Sequence, residues 1–79
     1  MTVLLFASIA EAAGARTLCV PSEPGDTVAR VRDRLIERYP QLEKFVPSLL
    51  YAVNEEYARV EDAVPAGATL ALIPPVSGG

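Results

Sequence analysis

Apolar residues run almost unbroken through Thr2-Val3-Leu4-Leu5-Phe6-Ala7 and again through Thr69-Leu70-Ala71-Leu72-Ile73. Runs of this length, bounded by turn signals, predict strands. In the first, alternation sets Val3, Leu5 and Ala7 on one face and Leu4 and Phe6 on the other. In the second, Leu70 and Leu72 alternate with Ala71 and Ile73. Neither run shows the polar residues at alternate sites that one wet face would require. Two explanations compete: central strands covered on both sides, or a sheet face left apolar for a partner protein. If the two strands lie side by side, Phe6 and Ile73 share an outer patch near the end of the last strand.

Between these runs the pattern changes period. Ser8 to Ala15 reads as a connection ending at the turn-permissive Gly14, with room for a helical turn but too short to count on one. Arg16 to Pro21 alternates well enough for a second strand, antiparallel to the first. Pro24-Gly25-Asp26-Thr27 is a helix entrance, with Thr27 as N-cap and Asp26 placing negative charge near the positive end of the dipole. Val28, Val31, Leu35, Ile36 and Tyr39 follow helical spacing, and Pro40 stops the helix. Arg30, Arg32, Asp33, Arg34, Glu37 and Arg38 read as its solvated sides. In Gln41–Leu49 only Leu42, Phe45 and Val46 suggest an amphipathic turn, closed by Pro47. Leu50 to Val53 resumes a strand, Asn54-Glu55-Glu56 reads as a tight turn, and Tyr57 to Val60 as a short returning strand. Pro65-Ala66-Gly67 then leads into the last strand. The predicted order places one packed helix against a small mixed sheet, an α+β fold.

Composition adds limits. Seventy-nine residues, 51% of them hydrophobic, make one domain with a modest core. A net charge of −3, without a basic cluster, predicts binding neither to nucleic acid nor to an anionic membrane. The first residues lack the basic flank of a signal peptide, and no apolar run suits a membrane span, so a soluble cytoplasmic protein is expected. Cys19 stands alone and reads as structural, without the cationic setting that activates a thiol. Histidine is absent, and no phosphate-loop or metal-ligand pattern occurs. The pairs Glu55-Glu56 and Glu61-Asp62 sit in turn-like segments and read as solvated charge. The chain is expected to bind no metal or cofactor itself and to catalyse nothing alone.

The last strand runs into Pro74-Pro75-Val76-Ser77-Gly78-Gly79. Neither proline can donate a ladder hydrogen bond, and together they favour a stiff extended course. The expected division is therefore a domain over 1–73 and an extended tail over 74–79. Fully extended, that tail spans about 20 Å at roughly 3.3–3.6 Å per residue. It could reach into another protein's active site, with Gly78 and Gly79 passing where a Cβ would not. The alternative is an ordinary frayed terminus.

The Pro-Pro-Val-Ser-Gly-Gly sequence placed directly after a core strand resembles the ends of the ubiquitin-like β-grasp sulfur carriers, of the molybdopterin synthase small-subunit (MoaD) type. Thr27-Val28 at the helix start, Ala52-Val53-Asn54 before the turn and Gly67 before the last strand match the same family. The resemblance spans essentially the whole chain. One departure is Ala66-Gly67-Ala68-Thr69, where the family often carries acids, so any partner contact made by those acids is in doubt here. The resemblance implies a β-grasp fold and a sulfur carrier. A ubiquitin-activating-like adenylyltransferase would charge Gly79 using ATP with Mg, and a sulfur donor enzyme would convert it to a thiocarboxylate. The tail would then enter the molybdopterin synthase large subunit and give sulfur to cyclic pyranopterin monophosphate. On this reading Gly79 is the covalent site, Gly78 gives passage, and Pro74, Pro75, Val76 and Ser77 set reach and register. Phe6 and Ile73 meet the partner enzymes. Carriers for thiamin thiazole or tRNA thiolation, and protein modifiers joined through Gly79 to lysines, remain open alternatives.

Overall fold

The computed structural model describes residues 1–75. Its elements are β1 (Thr2–Leu5), α1 (Ala7–Ala13), β2 (Thr17–Cys19), α2 (Val28–Arg38), a 3₁₀ segment (Pro40–Ser48), β3 (Leu50–Val53), β4 (Glu56–Ala58) and β5 (Thr69–Ile73). The strands form one mixed sheet in the order β2-β1-β5-β3-β4. β1 and β5 run parallel side by side, and the other neighbours are antiparallel. This is the β-grasp arrangement, with β5 in the middle of the sheet. No helix of the described residues is long and apolar enough to cross a membrane.

Register decides which apolar residues become core. Val3 lies opposite Leu70 and Leu5 opposite Leu72, while Tyr51 and Val53 of β3 face Leu72 and Leu70 from the other side. These side chains share one face because strand residues alternate. Val28, Val31 and Leu35 of α2, Ile9 of α1 and Leu42 of the 3₁₀ segment join them in a single buried cluster. Leu70, Val3 and Val31 have no exposed surface at all.

Two expectations about local structure change. β1 stops at Leu5, and the segment after it is a helix of seven residues rather than a loose connection. Isolated, so short a helix would not hold. Here burial of Ile9 and Ala10 supplies the stabilisation. Gly14 closes the helix in the left-handed region, its N–H reaching the carbonyls of Ala10 and Glu11. The described residues therefore form two α-helices where the periodicity showed one. The returning strand begins at Glu56, earlier than expected, because Asn54 (φ 49°) and Glu55 (φ 71°) alone make the turn. Each left-handed residue reverses the chain within a two-residue loop.

The entrance to α2 is built as a docked unit. Thr27 Oγ1 accepts from Arg30 N–H at 3.3 Å, as its N-cap role requires. The preceding free amides are also taken: Val28 N–H donates to Asp62 O at 3.0 Å and Ala29 N–H to Val60 O at 2.9 Å. Asp26, however, is no solvated dipole partner. It is 3% exposed, accepts from Glu23 N–H at 2.9 Å, and receives both terminal nitrogens of Arg34 at 2.7 and 2.6 Å. Arg34 also donates to Pro21 O at 2.9 Å. One side chain expected on a solvated helix face thus fastens the 21–26 loop to α2 through a bidentate pair. That pair holds the Asp26 carboxyl at about 2, below its ordinary 3.8, against the opposing effect of burial.

Candidate functional site

The sheet face opposite the core is built from the residues left over by the same alternation. Leu4 lies opposite Ala71, Ala71 opposite Ala52, and Ala52 opposite Tyr57, a row crossing β1, β5, β3 and β4. Small residues in the middle of that row and larger ones at its ends make a trough. Its volume is about 290 Å³, with Ala71 and Ala52 as floor, Leu4 and Phe6 on one side and Tyr57 on the other. Ile73 lies toward one end, and Thr69 with Glu55 toward the other. Along β5 the distance from Ile73 to Thr69 is about 13 Å, at roughly 3.3 Å per residue. Phe6 is 45% exposed, Leu50 49% and Tyr57 79%, although all are large and at least partly apolar. Three large, partly apolar side chains thus stand exposed on one face.

The two patch residues expected from the sequence, Phe6 and Ile73, come together here as walls of one groove. The competition between a covered strand and an open apolar face is settled strand by face: helices cover one side of β1 and β5, and the other side stays partly open. Phe6 itself stands where the chain leaves the sheet. The next residue, Ala7, takes φ 50°, a left-handed setting unusual for alanine. The chain there swings from β1 toward the core side, and Ile9 enters the core while Phe6 stays outside.

Pro74 is still buried against the body and Pro75 is exposed. Val76, Ser77, Gly78 and Gly79, expected to form the reactive tail, lie outside the described residues. What the structure places is their root. They follow in sequence from β5, the central strand, whose Ala71 and Ile73 belong to the open face.

Leu4, Leu50, Ala52, Glu55, Tyr57 and Ala71 were not singled out by sequence reasoning. The signal that could have found them is the pairing of β3 with β5, which converts two separate alternations into one surface. Three polar expectations also shift. Glu55 lines the groove rather than standing apart as loop charge. Asp62 Oδ2 accepts from Arg59 N–H at 2.8 Å and so shapes its own turn. Cys19 lies exposed on the edge strand β2, not packed in the core. Among the described residues no group of three or more His, Cys, Asp or Glu could hold a metal ion. Among the described residues the arrangement offers an apolar face beside the end of β5.

A model of the ThiS family matches residues 3–79, tail included. The chain belongs to the ThiS family. It is 38% identical to the molybdopterin synthase sulfur carrier subunit of Arabidopsis thaliana, over 98% of this chain and 80% of that protein. It is 42% identical to small archaeal modifier protein 1 of Haloferax volcanii, over 95% of each. The crystal structure of SAMP1 from Haloferax volcanii superposes with a TM-score of 0.90 at 38% identity, covering 99% of this chain and 97% of that one. This ThiS family member therefore shares its ubiquitin-like β-grasp fold with both kinds of relative. One kind is named for carrying sulfur and the other for modifying proteins.

Proposed function

We propose that this chain is the sulfur carrier subunit of a molybdopterin synthase, acting through the carboxylate of Gly79. The observation that carries the reading is the position of β5. The strand at the centre of the sheet contributes Ala71 and Ile73 to the open apolar face and continues directly into Pro74-Pro75-Val76-Ser77-Gly78-Gly79. A partner gripping that face has the tail delivered to it from a fixed root. The likeness to a relative named as a sulfur carrier subunit supports the same conclusion.

The chemistry follows from what a carboxylate lacks. Ionised, it resists nucleophiles, because attack must add negative charge and expel oxide. An adenylyltransferase partner using ATP with Mg converts the Gly79 carboxylate to an acyl-adenylate and releases pyrophosphate. A persulfide on a sulfur donor enzyme attacks the acyl carbon and expels AMP. A thiol then cleaves the resulting acyl disulfide and leaves the Gly79 thiocarboxylate. In the large subunit, that terminal sulfur forms a carbon–sulfur bond to the pterin precursor as a carbon–oxygen bond there breaks and its oxygen departs. Water then cleaves the acyl–sulfur bond, leaving the sulfur on the pterin and the carrier as its carboxylate. The small chain contributes no acid, base or metal to these steps. Its part is to present one carbonyl carbon at the end of a narrow segment, with Phe6 and Ile73 holding the partner.

Intact mass measured after incubation with ATP, the adenylyltransferase and a sulfur source tests this. The expected product carries one sulfur in place of one oxygen, and a protein extended by an untrimmed residue after Gly79 stays unchanged. An unsulfurated terminus under conditions that charge another carrier overturns the reading. The 42% identity to a protein named as a modifier supports a second use of the same acyl-adenylate, transfer to a lysine amine. Isopeptide-linked Gly79 remnants on cellular proteins would be its signature.

A further inference from the structure

Asn54 and Glu55 turn the chain between β3 and β4 with φ of 49° and 71°. Two-residue loops with both central residues left-handed suit the twist of paired strands, and glycine is the usual second residue because a Cβ is crowded there. Asn54 tolerates the setting and is put to use: its Oδ1 accepts from Thr69 N–H at 3.0 Å, and its own N–H donates to Thr69 O at 2.9 Å. Glu55 has no such use. Among the described residues its carboxylate makes no hydrogen bond and no ion pair. Its side chain instead lines the open groove, beside Tyr57 and Thr69 at the end away from the tail root.

Backbone strain kept by a residue with no internal partner directs attention to what lies outside. We infer that Glu55 is a specificity-determining residue of the partner-binding face. It receives a lysine or arginine of the partner protein whose apolar side chains fill the groove between Leu4, Phe6 and Tyr57. This rests on the carrier reading above and deepens it, by assigning a charge to the surface that recognises this chain. The charge also selects among occupants. A second copy of a chain with net charge −3 offers the acid no systematic counter-charge. Nucleic acid and anionic lipid would repel it. A protein surface that places a basic group about 13 Å from the tail root, the length of β5 from Ile73 to Thr69 at roughly 3.3 Å per residue, satisfies both the groove and the acid. It would also fix the direction in which the carrier docks.

The test is titration calorimetry with the molybdopterin synthase large subunit encoded in the same genome, at low and high salt. Glu55→Gln removes the charge and keeps the shape, while Glu55→Gly removes the strain as well. Both variants are expected to bind about tenfold more weakly at low salt and to show a flatter salt dependence. Glu55→Gly is expected to melt at a higher temperature than the natural chain while binding no better than Glu55→Gln. Equal affinity of the natural chain and the variants, with the natural chain both sulfurated and bound, overturns the role of Glu55 and leaves the carrier reading intact. A natural chain that neither takes sulfur nor binds the large subunit overturns the carrier reading and this inference with it.

Discussion

Val3, Leu5, Leu70 and Leu72 alternate along β1 and β5 with Leu4, Ala71 and Ile73, so the two faces of the central strand pair differ little in chemistry. They differ in what lies against them. On one face α1, α2 and the 3₁₀ segment exclude water, and each of the four residues is buried. On the other, no element of the described chain covers the row, and Phe6, Leu50 and Tyr57 remain exposed. The comparison teaches that an all-apolar strand in a small domain has two separable duties. One face stabilises the fold; the other is left open, and on the proposed carrier reading it is where a partner docks.

If that division is right, the same kind of truncation must give opposite readouts on the two faces. Leu70→Ala, made where no surface is exposed, is expected to lower unfolding free energy by about 4 kcal/mol in urea titrations, transfer and cavity effects together. In a domain of this size such a loss is a large share of total stability.

Asp26→Ala sharpens the contrast on the covered side, because it tests charge where apolar contact is not the issue. It leaves the Arg34 guanidinium with Pro21 O and the looser Glu23 carboxylate at 3.6 Å but without the buried partner that holds it at 2.6 Å. A loss of about 3 kcal/mol is expected from breaking a buried pair by removing one partner.

The same pair gives the fold a pH dependence. Asp26 is held at about 2, chiefly by its hydrogen bonds from Arg34, against 3.8 ordinarily. A depressed carboxylate stabilises the fold above its unfolded value, so its contribution of about 2 kcal/mol is complete above pH ~4. It is lost as pH falls from there toward 2. Urea midpoints measured down that window should fall for the natural chain and fall less for Asp26→Asn.

Ile73→Ala and Phe6→Ala, on the open face, are expected to cost about 1 kcal/mol or less in stability. Affinity for the large subunit should fall well beyond that, because residues central to an interface dominate its binding energy. If Ile73→Ala instead unfolds the protein as readily as Leu70→Ala, the open face belongs to the core and the division fails.

The sequence was readable wherever one local rule dominated. Thr27 before a 3.6-period run capped α2, Pro40 stopped it, and the apolar run at 69–73 became β5. Phe6 and Ile73 were placed together by simple alternation. The misses have particular causes. α1 is too short to be stable by itself, so its alanines carried no usable signal until Ile9 found the core. Arg34 read as solvated because helical spacing does not show that Asp26, eight residues away, folds back beneath it. Glu55 read as loop charge because its place at the groove follows only from the pairing of β3 with β5.

By itself the amino-acid order determined which segments are apolar, where helix α2 begins and ends, and that a Pro-Pro-Val-Ser-Gly-Gly segment follows the last strand. These follow from local sterics and periodicity, which neighbours in sequence are enough to set. Only the tertiary structure decided which face of each strand is core, which acid is paired and which is left facing a groove. The first and last depend on strand order and register, such as Leu4 beside Ala71, and the second on a loop folding back under a helix to pair Asp26 with Arg34; neither kind of contact leaves a periodic trace in the chain.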